Sequence, residues 1–145
     1  MIEIKNLIKS DFDIEGFIKF AYSKLGFADD ITLRIYHDDY LLDRLAPPDC
    51  QLQALLHQTP LPHNYNLIVR NNTETPLHIV ISHEMIHLRQ YEQGRLRMNV
   101  KTGVCNYDGR DYTASTRYAQ RPWENEAFDR QYGLWKAYKK WTEQK

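Results

Sequence analysis

Apolar and polar residues alternate in some stretches of the chain and recur at helical spacing in others. Ile31, Leu33 and Ile35 alternate with Thr32, Arg34 and Tyr36, which predicts a strand. Cys50, Leu52, Ala54 and Leu56 alternate with Gln51, Gln53, Leu55 and His57, predicting a second strand over 50–57. Asn64 to Arg70, built around Leu67-Ile68-Val69, reads as a third, with Pro60 and Pro62 punctuating the connection. Residues 11–25 carry Phe12, Phe17, Ile18, Phe20, Ala21 and Leu25 and predict a helix, with Asp11 as its cap and Gly26 as its stop. Residues 38–49 fit neither period, and Pro47-Pro48 breaks whatever precedes it. Thr75 is a good N-cap and Pro76 a good first helical residue, so a helix should run to about Gly94, a natural C′ position. The stretch 95–121 is polar and too long for a structureless loop in a small domain. Within it Asp108-Gly109 predicts a two-residue hairpin turn between 104–107 and 110–113. Pro122 then opens a last helix to about Thr142. The expectation is a single α+β domain spanning residues 1–145, with a sheet of three or four strands, an N-terminal helix, a central helix and a C-terminal helix.

Composition narrows the class. The chain has 145 residues with ten Tyr, five Phe and three Trp, enough for one domain with its own core. Nineteen basic residues balance nineteen acidic ones, so no broad basic field invites nucleic acid. No apolar run approaches a membrane span. The opening Met-Ile-Glu-Ile-Lys-Asn lacks the basic and apolar regions of a signal peptide. Cys50 and Cys105 make no disulfide framework. A soluble, cytoplasmic protein is the expectation.

The chemistry concentrates in His83-Glu84-Met85-Ile86-His87. Residues four apart on a helix stand one above the other, so His83 and His87 can aim both imidazoles at one point. Zinc takes nitrogen, sulfur and carboxylate ligands, and a catalytic zinc site uses three of them. The Glu that follows the first His is placed to act as a general base. Chance also produces this spacing, so the direction of Glu84 matters. At about 100° per residue, Leu77, Ile81 and Leu88 form one apolar stripe and Glu84 falls within its sector. A carboxylate turned toward a core is costly unless it is paired or near a metal.

The last helix supplies a candidate third ligand. Ala127, Phe128, Leu134, Trp135 and Tyr138 define its buried face, and Glu124 lies at the centre of that face. Glu126 lies nearly opposite and should be solvated. The other histidines fit less well. His78 points about 140° away from His83 and reads as a surface residue. His37, His57 and His63 lie on strands or loops with nothing to pair them with the helix. The two cysteines read as small buried residues. Trp123, Trp135 and Trp141 read as core, and Lys136, Lys139 and Lys140 as a solvated face.

His83-Glu84-x-x-His87 followed by Glu124 on a second helix resembles the gluzincin metallopeptidases, a group that includes the very small minigluzincins. The segment Arg-Pro-Trp-Glu-Asn-Glu-Ala at 121–127 is also similar to small metallopeptidases predicted in bacteria and phages. The resemblance covers residues 76–129. It implies a small zincin-like fold with a zinc-binding helix and a glutamate helix. It also implies Zn2+ held by His83, His87 and Glu124, with Glu84 as general base. In the group a small residue often stands three positions after the ligand, and Ala127 fits this where Asp129 does not. Several relatives have an Asp four positions after the ligand as partner to a zinc histidine. Here that position is Phe128.

The resemblance further implies a donor for the oxyanion, for which Tyr107, Tyr112, Arg117, Tyr118 and Arg121 are the candidates and Tyr118, nearest to Glu124, the first choice. It implies an extended peptide or protein substrate paired along an edge strand. Residues 50–57 are either that strand or an ordinary interior one. The expected function is therefore zinc-dependent peptide hydrolysis. The alternative is a zinc-binding regulatory or interaction module that keeps the site without turnover.

Overall fold

The computed structural model describes residues 1–99 and 101–144. Val100 and Lys145, within the stretch read as one domain, lie outside the described residues. The described residues form an α+β fold with a four-stranded mixed sheet, a small three-stranded sheet and four α-helices.

The first strand, β1 (Ile2–Asn6), pairs in parallel with β2 (Ile31–Tyr36), and helix α1 (Ile14–Lys24) connects them. A short helix α2 (Asp39–Leu45) follows, then β3 (Ala54–Gln58) and β4 (Asn64–Val69). β2 pairs in parallel with β4, and β3 runs antiparallel to β4, giving the order β1-β2-β4-β3. β3 is therefore an edge strand and not an interior one, and it begins at Ala54, so residues 50–53 of the strand expected over 50–57 lie outside it. Helix α3 (Leu77–Glu92) leads into the small antiparallel sheet of β5 (Leu96–Met98), β6 (Cys105–Tyr107) and β7 (Arg110–Tyr112). A 3-10 turn at Tyr118–Gln120 precedes helix α4 (Pro122–Glu143).

The main core lies between the mixed sheet and helices α1, α3 and α4. It includes Phe17, Ile18, Leu33, Ile35, Tyr65, Leu67, Ile81, Met85, Leu88 and Ala127. Every residue of α3 from Ile79 to Leu88 is buried. The helix is thus not amphipathic on a surface but enclosed on all sides, and its polar residues are held inside by their partners. On the other face of β4, Leu42, Leu52 and Ile68 form a second cluster against which Tyr118 packs. Leu96, Cys105, Tyr107 and Trp123 tie the small sheet to the start of α4.

Several boundaries differ from expectation. Asp13, not Asp11, caps α1, accepting from the Gly16 amide at 2.9 Å. The cap of α3 is Pro76, with no side-chain bond from Thr75. Gly94 does stop α3, with φ at 70° in the left-handed region. Asp108 and Gly109 both have positive φ, 50° and 85°, as the predicted hairpin turn requires. β1, β5 and α2 were not anticipated. Trp141 is 39% exposed rather than core, although its ring lies 5.2 Å from that of Phe20. Lys136, Lys139 and Lys140 are exposed, as read. Among the described residues no helix is long and apolar enough to cross a membrane.

Candidate metal centre

The packing of α3 against α4 brings His83, His87 and Glu124 together. His83 Nε2 lies 2.8 Å and His87 Nε2 2.9 Å from the same oxygen, Glu124 Oε1. The two Nε2 atoms are 3.1 Å apart. Ala127 makes this approach possible. It is fully buried one turn beyond Glu124 and leaves α4 free to close on α3. Glu84 is 6% exposed and belongs to the same cluster, its carboxylate within 4.8 Å of ligand atoms on both histidines. The inward direction expected for both carboxylates is therefore observed, Glu124 being 9% exposed.

Both imidazoles are held from behind. His83 Nδ1 bonds Gln131 Oε1 at 2.8 Å, and His87 Nδ1 bonds Gln90 Oε1 at 2.8 Å. Neither glutamine was among the candidates expected from the sequence. The Asp position of related patterns is taken by Phe128, whose ring meets the His83 ring edge-on at 4.7 Å. Phe128 is 47% exposed, so it borders the site rather than sitting on the buried face of α4. Gln131 is one turn further along, and the helical spacing Glu124-to-Gln131 was the available signal.

Glu126 is a second correction. It is not solvated but accepts from Gln90 Nε2 at 2.6 Å and from Arg95 Nη1 at 3.0 and 3.1 Å. His78 is not a surface histidine either, since its ring stacks on Trp135 at 4.2 Å and burial pushes its pKa down. His63 does have a partner on α3, the Glu92 carboxylate at 2.8 and 3.0 Å, and Glu92 also accepts from Tyr65 Oη at 2.5 Å. His37 bonds the Val69 carbonyl instead.

Of the five oxyanion candidates, only Tyr118 is hydrogen-bonded to the centre, its hydroxyl donating to Glu124 Oε1 at 2.9 Å. Burial and the Glu124 charge push its pKa up, so the hydroxyl stays a donor. Tyr107 is taken by Arg95, and Tyr112 packs on Trp123. Arg121 bonds the Thr116 carbonyl, and Arg117 is exposed.

The electrostatics follow from burial and pairing. Burial pushes the Glu84 carboxyl up, opposed by the two histidines and by a hydrogen bond from the Leu56 amide of β3. Burial opposes charge on His87, but the Glu124 carboxylate prevails and raises it to about 10. Glu124 is held well below the usual carboxylate range, its own burial outweighed by His87 and His83. His87 and Glu124 thus each favour the charged form of the other.

The donor set is two imidazole nitrogens and a carboxylate oxygen on rigid helices, with ring partners that leave both Nε2 atoms facing inward. This set is of the kind that holds a divalent cation. Cys50 and Cys105 are free thiols and neither is among the clustered donors. No family model, no curated protein and no solved structure matches the chain.

Proposed function

We propose that the chain is a zinc-dependent metallopeptidase of gluzincin type, acting on a peptide or protein substrate. The observation that carries this reading is the convergence of His83 Nε2 and His87 Nε2 on one oxygen of Glu124, with the buried Glu84 carboxylate clustered with the same two imidazoles. His83, His87 and Glu124 would hold Zn2+. When bound, zinc polarises a peptide carbonyl and lowers the pKa of water.

The residues divide the remaining work. Glu84, tethered by the Leu56 amide, takes a proton from the attacking water and delivers it to the leaving amine. Tyr118 turns its hydroxyl from Glu124 toward the oxyanion. The exposed edge of β3 pairs with an extended peptide, so that backbone hydrogen bonds hold the substrate beside Glu84.

The second reading is a zinc-binding module without turnover. Neutral carboxamides, not carboxylates, back both histidines, and this favours it. Glu84→Gln separates the two. As a peptidase, the variant keeps about one zinc per chain and loses cleavage of a peptide library. Equal cleavage by wild type and variant, or none by either, rejects catalysis by Glu84. A chain that takes up no zinc rejects both readings.

A further inference from the structure

Gln90 is 1% exposed and engages three partners. Its Oε1 faces His87 Nδ1 at 2.8 Å. Its Nε2 faces the Trp123 carbonyl at 3.0 Å and Glu126 Oε1 at 2.6 Å. A carbonyl and a carboxylate can only accept here, so the amide cannot turn over without setting its own oxygen against two others. Oε1 must therefore face His87, and the ring must present an N–H at Nδ1. The nitrogen turned toward Glu124 is then Nε2. One carboxamide, locked by acceptors behind it, decides which ring nitrogen faces the centre.

Glu126 is fixed in turn. Arg95 reaches both its oxygens through Nη1, while Arg95 Nε and Nη2 grip Asp108 at 2.8 and 3.0 Å. Asp108 is in the turn between β6 and β7. The chain of bonds runs from that turn through Arg95, Glu126 and Gln90 to His87. Arg95 and Glu126 touch none of the three donor residues in the described hydrogen bonds.

We propose that Glu126 is a positioning residue for His87, acting through Gln90 and anchored by Arg95 to the small sheet. The orientation of the ring does not depend on the metallopeptidase reading; its effect on metal binding does.

The experiment compares Gln90→Ala, Glu126→Ala and the double variant in the full chain. In the metal-free protein, nitrogen–proton correlation spectra report the His87 Nδ1 proton. It should be protected from water in wild type and exchange rapidly in both single variants. Zinc affinity, measured by competition with a chromophoric chelator, should fall 10- to 100-fold in Gln90→Ala and on the order of tenfold in Glu126→Ala. The double variant should be no worse than Gln90→Ala, because both residues lie on one path. Unchanged proton protection in Glu126→Ala overturns the proposal, as does a loss in the double variant equal to the sum of the singles. If wild type binds no zinc, the metallopeptidase reading fails while the proton signal still decides this one. Should Gln90→Ala fail to fold, Glu126→Ala with Arg95→Ala makes the same cycle, the pair being no worse than Glu126→Ala alone.

Discussion

Tyr118 and Glu124 are joined by a 2.9 Å hydrogen bond to the one carboxylate oxygen that both histidines also reach. The bond makes Tyr118 separable from the ligands. Tyr118→Phe removes a donor without removing a donor atom for the metal. Zinc content should stay as in wild type while kcat falls by roughly 10²–10³. Steady-state cleavage of a peptide library by metal-matched samples checks this. A variant that loses its zinc would place Tyr118 among the groups that build the site instead.

Zinc should stabilise the fold. A ligand at a hundred times its Kd contributes about 2.7 kcal/mol, which for a chain of this size raises Tm by roughly 5–10 °C. Glu124→Ala should abolish that rise. Thermal unfolding of chelator-treated protein with and without added zinc reads the effect, and an equal rise in both proteins would move the metal elsewhere.

His63 and Glu92 give a pH dependence away from the centre. The Glu92 carboxylate raises the His63 pKa above its ordinary value, through a hydrogen bond first and charge second. A histidine raised on folding stabilises fully below its unfolded pKa of about 6.5. That contribution is lost as pH rises through the higher folded value. His63 has φ at 59°, so Asn, which tolerates this conformation, is the suitable replacement. Urea unfolding should show His63→Asn less stable than wild type at pH 6, with the gap closing toward pH 9. A gap that widens with pH would reverse the sign argued here.

Ala127 tests the helix contact. It is fully buried where α4 meets α3, so Ala127→Leu must push the helices apart. The expected cost is about 1–3 kcal/mol, with weaker zinc binding because Glu124 moves with α4. Denaturant midpoints and chelator competition measure the two effects. A fully stable variant with wild-type zinc affinity would show that the small side chain is not what lets the helices close.

Residues with strong local signals were legible in the sequence. β2 alternates without interruption, α4 opens on proline, and the Asp108-Gly109 turn has only one economical conformation. The inward direction of Glu84 and Glu124 followed from helical arithmetic alone. β1 has just five residues, with Ile2 buried and Ile4 partly so, a signal too short to separate from a frayed end. The role of Glu126 was misread because helix phase treats solvent as the only alternative to the core. The small sheet, packed beside α4 through Trp123, supplies Arg95 as a partner. Gln90 and Gln131 were missed because an amide at helical spacing resembles any exposed polar residue until the facing ring is in view.

The donors are divided between two helices, with Glu124 lying 41 positions after His83. Neither helix alone offers more than part of the set. A local opening that lifts α4 from α3 removes Glu124, Gln131 and the Phe128 ring in a single event. If the centre holds zinc as proposed, its occupancy and the closure of α4 are linked, and the cation would act as a clasp on that helix. Amide hydrogen exchange along α4 is its natural gauge, slowing as the site fills.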